Sequence, residues 1–166
     1  MSDTDRDALL AQAVALREED RTEEARQLLL SLSERFPQDA QVAYQTAWAH
    51  DKLGLETEAV PHYERSLAGE GLPTEDRVGA FLGLGSTYRV LGRYDQAVAT
   101  LRRGLGEFPD DAGLKTFLAM ALYNVGQAKE SVSLLLRLLA ATSGDERVQR
   151  YRRAIEFYAD DLDATY

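Results

Sequence analysis

Two columns of small residues recur along this chain at one shared, irregular spacing. That recurrence restricts the possible folds more than any other feature. Ala13, Ala47, Gly85 and Ala119 are separated by 34, 38 and 34 residues. Ala25, Ala59, Ala97 and Ser131 repeat the same intervals twelve positions further on. Small side chains are required at regular intervals where one backbone must approach another closely, so the two columns mark the contacts of a repeated unit. Phe36-Pro37 and Phe108-Pro109 lie 72 residues apart, room for two units, and Leu72-Pro73 stands at the junction between them. Units are read at about 6–39, 40–77, 78–111 and 112–145.

Each unit has the pattern of two helices. In the third, Phe81, Leu84, Gly85 and Tyr88 recur at intervals of three and four, an apolar face of helical period. Gly92 is a helix stop. A second run starts at Tyr94 with Ala97, Val98, Leu101 and Leu105, and Pro109 ends it by lacking an amide and disfavouring helix before it. Gly54 and Gly126 occupy the corresponding turns, while the first unit has only the polar stretch Glu18-Glu19-Asp20. The four extra residues of the second unit fall between Ser66 and Val78, close to one helical turn, and predict a lengthened helix starting at Pro73-Thr74. From Gly144 onward, Val148, Tyr151, Ile155, Tyr158 and Leu162 predict one capping helix at about 145–162, with an acidic end (Asp160, Asp161, Asp163) expected to fray.

These residues resemble the tetratricopeptide repeat, a helix–turn–helix unit of 34 residues. Phe81, Leu84-Gly85, Tyr88, Gly92, Tyr94, Ala97 and Pro109 fall where that signature expects them. Lys115 and His50 depart from it, standing where a large apolar and an aromatic residue are usual. The resemblance covers about 6–145 and is closest to small bacterial proteins built of this repeat alone. It implies an all-α fold: a right-handed superhelical solenoid of about four helix–turn–helix repeats plus a C-terminal capping helix, one domain over 1–166. Overpacking the ladder at Gly85→Leu is expected to lower the thermal midpoint more than Gly79→Leu.

Composition excludes several classes. The net charge of −9 disfavours nucleic acid and anionic membranes as partners. Without cysteine there is neither a disulfide nor a thiolate metal site. The start, MSDTDRDALL, lacks the basic and apolar character of a secretory signal, and no apolar run reaches the length of a membrane span, so a cytoplasmic location is expected. No catalytic motif is present, and Gly83-Leu84-Gly85 lacks a third glycine at dinucleotide-binding spacing. His50 is read as a core histidine and His62 as a surface one. Glu18, Glu19 and Asp20 are read as solvated charge, and Arg147, Arg150, Arg152 and Arg153 as the polar back of a helix. The chain is thus expected to be no enzyme, with no cofactor and no metal.

In the resembled architecture the first helix of each pair lines a concave surface. The resemblance therefore implies a peptide groove of Leu10, Val14 and Arg17, then Tyr44 and Trp48, then Leu82, Ser86 and Arg89, then Thr116, Met120 and Tyr123. Trp48 and Tyr44 either anchor a ligand or pack internally. The family's carboxylate clamp is not reproduced: its positions carry Leu10, Val14, Gln45, Gly79 and Gly83, or one unit later Tyr44, Trp48, Gly83, Gly113 and Phe117. The expected function is a protein–protein interaction scaffold that takes a peptide or partner segment in its groove. The alternative is a structural module whose apolar surfaces drive homo-oligomerisation.

Overall fold

The computed structural model describes residues 3–165. Met1, Ser2 and Tyr166 lie outside the described residues, and with them the ends of the expected 1–166 span and the first two residues of the MSDTDRDALL start. Ten α-helices and no strand occur among the described residues. They are α1 (Asp3–Glu18), α2 (Thr22–Arg35), α3 (Ala40–Lys52), α4 (Glu56–Ala68), α5 (Thr74–Val90), α6 (Tyr94–Glu107), α7 (Ala112–Asn124), α8 (Ala128–Thr142), α9 (Glu146–Arg150) and α10 (Arg152–Asp160). The chain divides into two compact units, Met1–Gly92 and Arg93–Tyr166.

In the first unit α1 pairs with α2 and α3 with α4, while α5 packs on α4 and, less extensively, on α3. The ladder residues Ala13, Ala25, Ala47 and Ala59 are fully buried, and Gly85 is buried with them. A Cβ is the largest group that fits where two helix backbones meet this closely. Thr46 takes a buried ladder-side position that is leucine in later units, and its hydroxyl is satisfied there. It donates to the Val42 carbonyl at 2.7 Å, so Ser33 Oγ is the donor in the 3.0 Å contact with Thr46 Oγ1. Asp39 begins α3 by accepting from the amides of Gln41 and Val42, and it also receives two hydrogen bonds from the Arg6 guanidinium at 2.9 and 2.7 Å.

The inserted residues act as their number predicts. α5 has 17 residues where α3 and α7 have 13, one more helical turn, and its apolar face keeps its phase. The turn glycines Gly54, Gly92 and Gly126 all have positive φ, at 72°, 72° and 79°. Asp20, at 61°, does the same work in the first hairpin, so the left-handed residue recurs at 34, 38 and 34 like the ladders. Asp20 is solvated, as read from the sequence, and accepts from Lys52 Nζ at 2.7 Å.

In the second unit α7 packs between α6 and α8, with Ala97, Ala119 and Ser131 buried. The expected single capping helix is instead two segments. α9 is tied to the end of α8 by Gln149, whose amide donates to the carbonyls of Ala140 and Ser143. α10 runs along α8, where Ser133 Oγ donates to the Ala159 carbonyl. The bend at Tyr151, which leaves the helical region (φ −101°, ψ 10°), lets each segment follow its own contact. The expected apolar stripe is corrected too: Tyr151 and Tyr158 are exposed, Ala159 is the buried residue, and Val148, Ile155 and Leu162 are half-buried. At the acidic end α10 stops at Asp160, which pairs with Arg137, and Asp163 pairs with Lys129, all at exposed side chains.

Candidate interaction groove

Eight of the eleven groove residues read from the sequence lie on α1, α3 and α5 of the first unit. Thr116, Met120 and Tyr123 lie on α7 of the second. A concavity of about 420 Å³ in the first unit is lined in part by Leu10, Val14, Gln41 and Gln45. Not every expected contact faces it freely. Leu10 and Tyr44 are buried, and Val14, Leu82, Ser86 and Arg89 are half-buried. On α7, Thr116 and Met120 are half-buried and Tyr123 is exposed, with the Thr116 hydroxyl turned back onto the Ala112 carbonyl.

The centre of the site is Arg17. Its residue is only 6% exposed, yet no carboxylate of the described residues reaches ion-pairing distance of its guanidinium. The group donates to the Gln45 side-chain oxygen, a neutral acceptor, and its Cζ stands 3.5 Å from the centroid of Trp48. Burial disfavours the charge and pulls the Arg17 pKa down, against the weaker pull of Tyr44, Glu18 and Asp76. Trp48 is 41% exposed and therefore forms a platform with one accessible side. Tyr44 sits 5.8 Å from Trp48 and 6.4 Å from Tyr63, centroid to centroid. Burial raises the Tyr44 hydroxyl to about 12. Below this stack, Asp51 accepts from Tyr63 at 3.0 Å and Thr87 at 3.1 Å, and burial lifts its carboxyl above the usual range.

Glycines on α5 make room for these rings. A Cβ at Gly79 would lie 2.2 Å from the Tyr44 hydroxyl oxygen, and one at Gly83 would lie 2.5 Å from both Cζ and the hydroxyl oxygen of Tyr63. Gly79 is thus no permissive reference for Gly85, contrary to the expectation from the ladders alone.

The two histidines meet, which their separation in sequence had concealed. His50 and His62 stack at 5.1 Å with 25° between their planes. His50 Nδ1 bonds the Thr46 carbonyl at 2.7 Å, so that nitrogen carries the proton and His50 is a satisfied core residue. His62 is half-buried rather than on the surface. Arg65 donates to its Nδ1 at 2.8 Å, and burial, Arg65 and His50 lower its pKa to about 4. Among the described residues no group of three or more His, Asp or Glu side chains is arranged to hold a metal ion, and no helix is long and apolar enough to cross a membrane.

With this geometry in hand, the kinship is direct. The family model described as Tetratrico peptide repeat matches residues 40–162, and a second, Tetratricopeptide repeat, matches residues 6–73. The chain belongs to the tetratricopeptide repeat family, whose members generally act as non-catalytic scaffolds. Comparison with curated proteins finds no match. Among solved structures, MamA (residues 41 to the end) from Desulfovibrio magneticus RS-1 superposes with a TM-score of 0.73 at 17% identity, covering 94% of this chain and 86% of that one. YrrB, titled a TPR protein with an unusual peptide-binding site, gives 0.71 at 17% identity over 93% of this chain and 78% of its own. The Cut9–Hcn1 hetero-tetramer of the APC/C gives 0.71 at 17% identity, over 90% of this chain but 29% of that one. These likenesses establish the shared fold.

Proposed function

We propose that this protein is an interaction scaffold whose first unit takes an extended partner segment bearing an acidic side chain. The observation that carries the reading is Arg17: a guanidinium removed from water, stacked on Trp48 and given no carboxylate by the described residues. A carboxylate from a partner would gain a charge-assisted hydrogen bond there, and the adjoining concavity offers Leu10 and Val14 to an apolar neighbour of that acid. Leu82, Ser86 and Arg89 would extend the contact along α5. Thr116, Met120 and Tyr123, on α7 of the second unit, would form a separate contact patch of that unit. The fold shared with YrrB supports a peptide as the kind of ligand.

Trp48 is the only tryptophan, so its fluorescence reports on the site without a label. Short peptides with one Asp or Glu flanked by apolar residues should shift its emission on titration. Arg17→Met should weaken that binding at least about tenfold, the scale of one charge-assisted contact. Peptides that bind equally well with the acid replaced by Asn would remove the role given to charge. Pull-downs with wild type and Trp48→Ala that retain the same partners would remove the groove itself.

A further inference from the structure

We infer that the open apolar face of α8 is a docking surface for a second copy of this chain, and that the protein forms a two-fold dimer through its C-terminal unit. The face consists of Val132, Leu135 and Leu139, which are 44%, 40% and 44% exposed, with Leu136, Leu138 and Thr142 completing a shallow groove of about 430 Å³. The repeat register says what such a face is built for. Leu135 is the counterpart of Leu29, Tyr63 and Leu101, at the same 34, 38 and 34 intervals. Those three are buried, because α2, α4 and α6 each pack against the following helix, α3, α5 and α7. Among the described residues, no helix covers the corresponding face of α8. α10 lies instead on the flank marked by Lys129, Ser133 and Arg137. The face therefore retains the shape and apolarity of a helix-stacking surface, and a helix face is its fitting occupant.

Two observations single out another copy of the same unit. The first is the contrast with α1. Gln12 is exposed at the position where Thr46, Leu84 and Leu118 are buried in the other units, and its exposed neighbours on α1 are Asp5, Ala8 and Ala15. That surface is polar and small, and it does not complement the leucines of α8 in a head-to-tail stack. The second is charge. Residues 93–166 carry 10 basic and 11 acidic side chains, whereas residues 1–92 carry 9 and 17. Two C-terminal units carry almost no net charge to repel at contact, and the repulsion that two chains retain comes from the excess acid of residues 1–92. α10 adds Phe157 and Tyr158, about half exposed, to the apolar surface of this same unit.

Full-length protein should sediment as a concentration-dependent dimer, and Leu135→Glu should shift it to monomer, raising the dissociation constant at least about tenfold. Because Leu135 is already open, the variant should keep the wild-type circular dichroism. The chain lacks cysteine, so a single introduced thiol gives a second, independent readout. Under mild oxidation Leu139→Cys should cross-link two copies, and Ala15→Cys should not. A wild type that stays monomeric up to about 100 µM would leave the face to a helix of some other protein and would overturn the dimer. Dimers that survive Leu135→Glu, or that cross-link through Ala15→Cys instead, would overturn it as well. Trp48→Ala should leave the dimer intact, which separates this inference from the groove.

Discussion

Asp20 and Gly83 illustrate how single residues carry the repeat. Asp20 adopts the left-handed conformation that Gly54, Gly92 and Gly126 adopt in the other hairpins. Asp tolerates it, a β-branched residue does not, and the strain for L-residues there is roughly 1–2 kcal/mol. Asp20→Val should therefore lower stability by about 1–2 kcal/mol in urea unfolding, while Asp20→Gly should stay within about 0.5 kcal/mol of wild type. Comparable losses in the two variants would mean that the Lys52 contact, and not the backbone, is what matters. Gly83 answers to space rather than dihedral angle. Its missing Cβ is the room occupied by the ring of Tyr63, which is buried and held by Asp51. Gly83→Ala should cost about 1–3 kcal/mol, whereas Gly106→Ala, with nothing within 4 Å, should gain about 0.5–1 kcal/mol from helix propensity. The small-residue ladders were legible in the sequence because close packing tolerates nothing else. Asp20 was not, because aspartate in a turn is equally compatible with ordinary solvation.

At the scale of elements, the α3–α4 hairpin couples helix packing to pH. The His62 ring faces His50 of α3 and Arg65 of its own helix, and it remains neutral in the native protein down to about pH 4. In the unfolded chain it takes up a proton near its ordinary value of 6.5. Between those values the unfolded chain binds a proton that the native one does not, so this pair contributes a loss of stability as pH falls from 6.5 towards 4. Above 6.5 it contributes no slope. The thermal midpoint of wild type should fall by a few degrees over that window, and His62→Gln should flatten the fall. An unchanged slope in the variant would assign it to other groups. At the same scale, Asp39 joins α1 to the start of α3. Burial pushes its carboxyl up, but Arg6 and the Val42 and Gln41 amides outweigh that and hold it below the ordinary value. The helix starts at Pro73-Thr74 and the extra turn of α5 could be read beforehand from proline chemistry and residue count. The break at Tyr151 could not, since it follows from what Gln149 and Ala159 each reach on α8.

For the molecule as a whole, the uneven distribution of charge gives a direct test of how copies associate. If association rests on the apolar face of α8, salt screens the mutual repulsion of chains of net charge −9 and should strengthen the dimer. Raising sodium chloride from about 0.02 to 0.5 M should lower the dissociation constant measured by sedimentation. A constant that rises with salt would point to ion pairs as the source of association. The same salt series should act oppositely on the groove, where the attraction of Arg17 for an acidic segment is screened and peptide affinity should fall.

What the sequence determined by itself was the repeat: its period, its hairpins, the inserted turn and the positions where only small residues fit. Those depend on local chain geometry and on volumes, and both are properties of residue type and spacing. What only the tertiary structure decided was the state of individual groups. Arg17 became a buried cation because Trp48 covers it and Gln45, rather than a carboxylate, meets it. His62 became neutral because α4 turns it onto His50. Leu135 stayed open where its register partners were covered, because α10 lies on the other flank of α8. Burial and charge compensation are fixed by neighbours distant in sequence, so no reading of residue type and spacing could supply them.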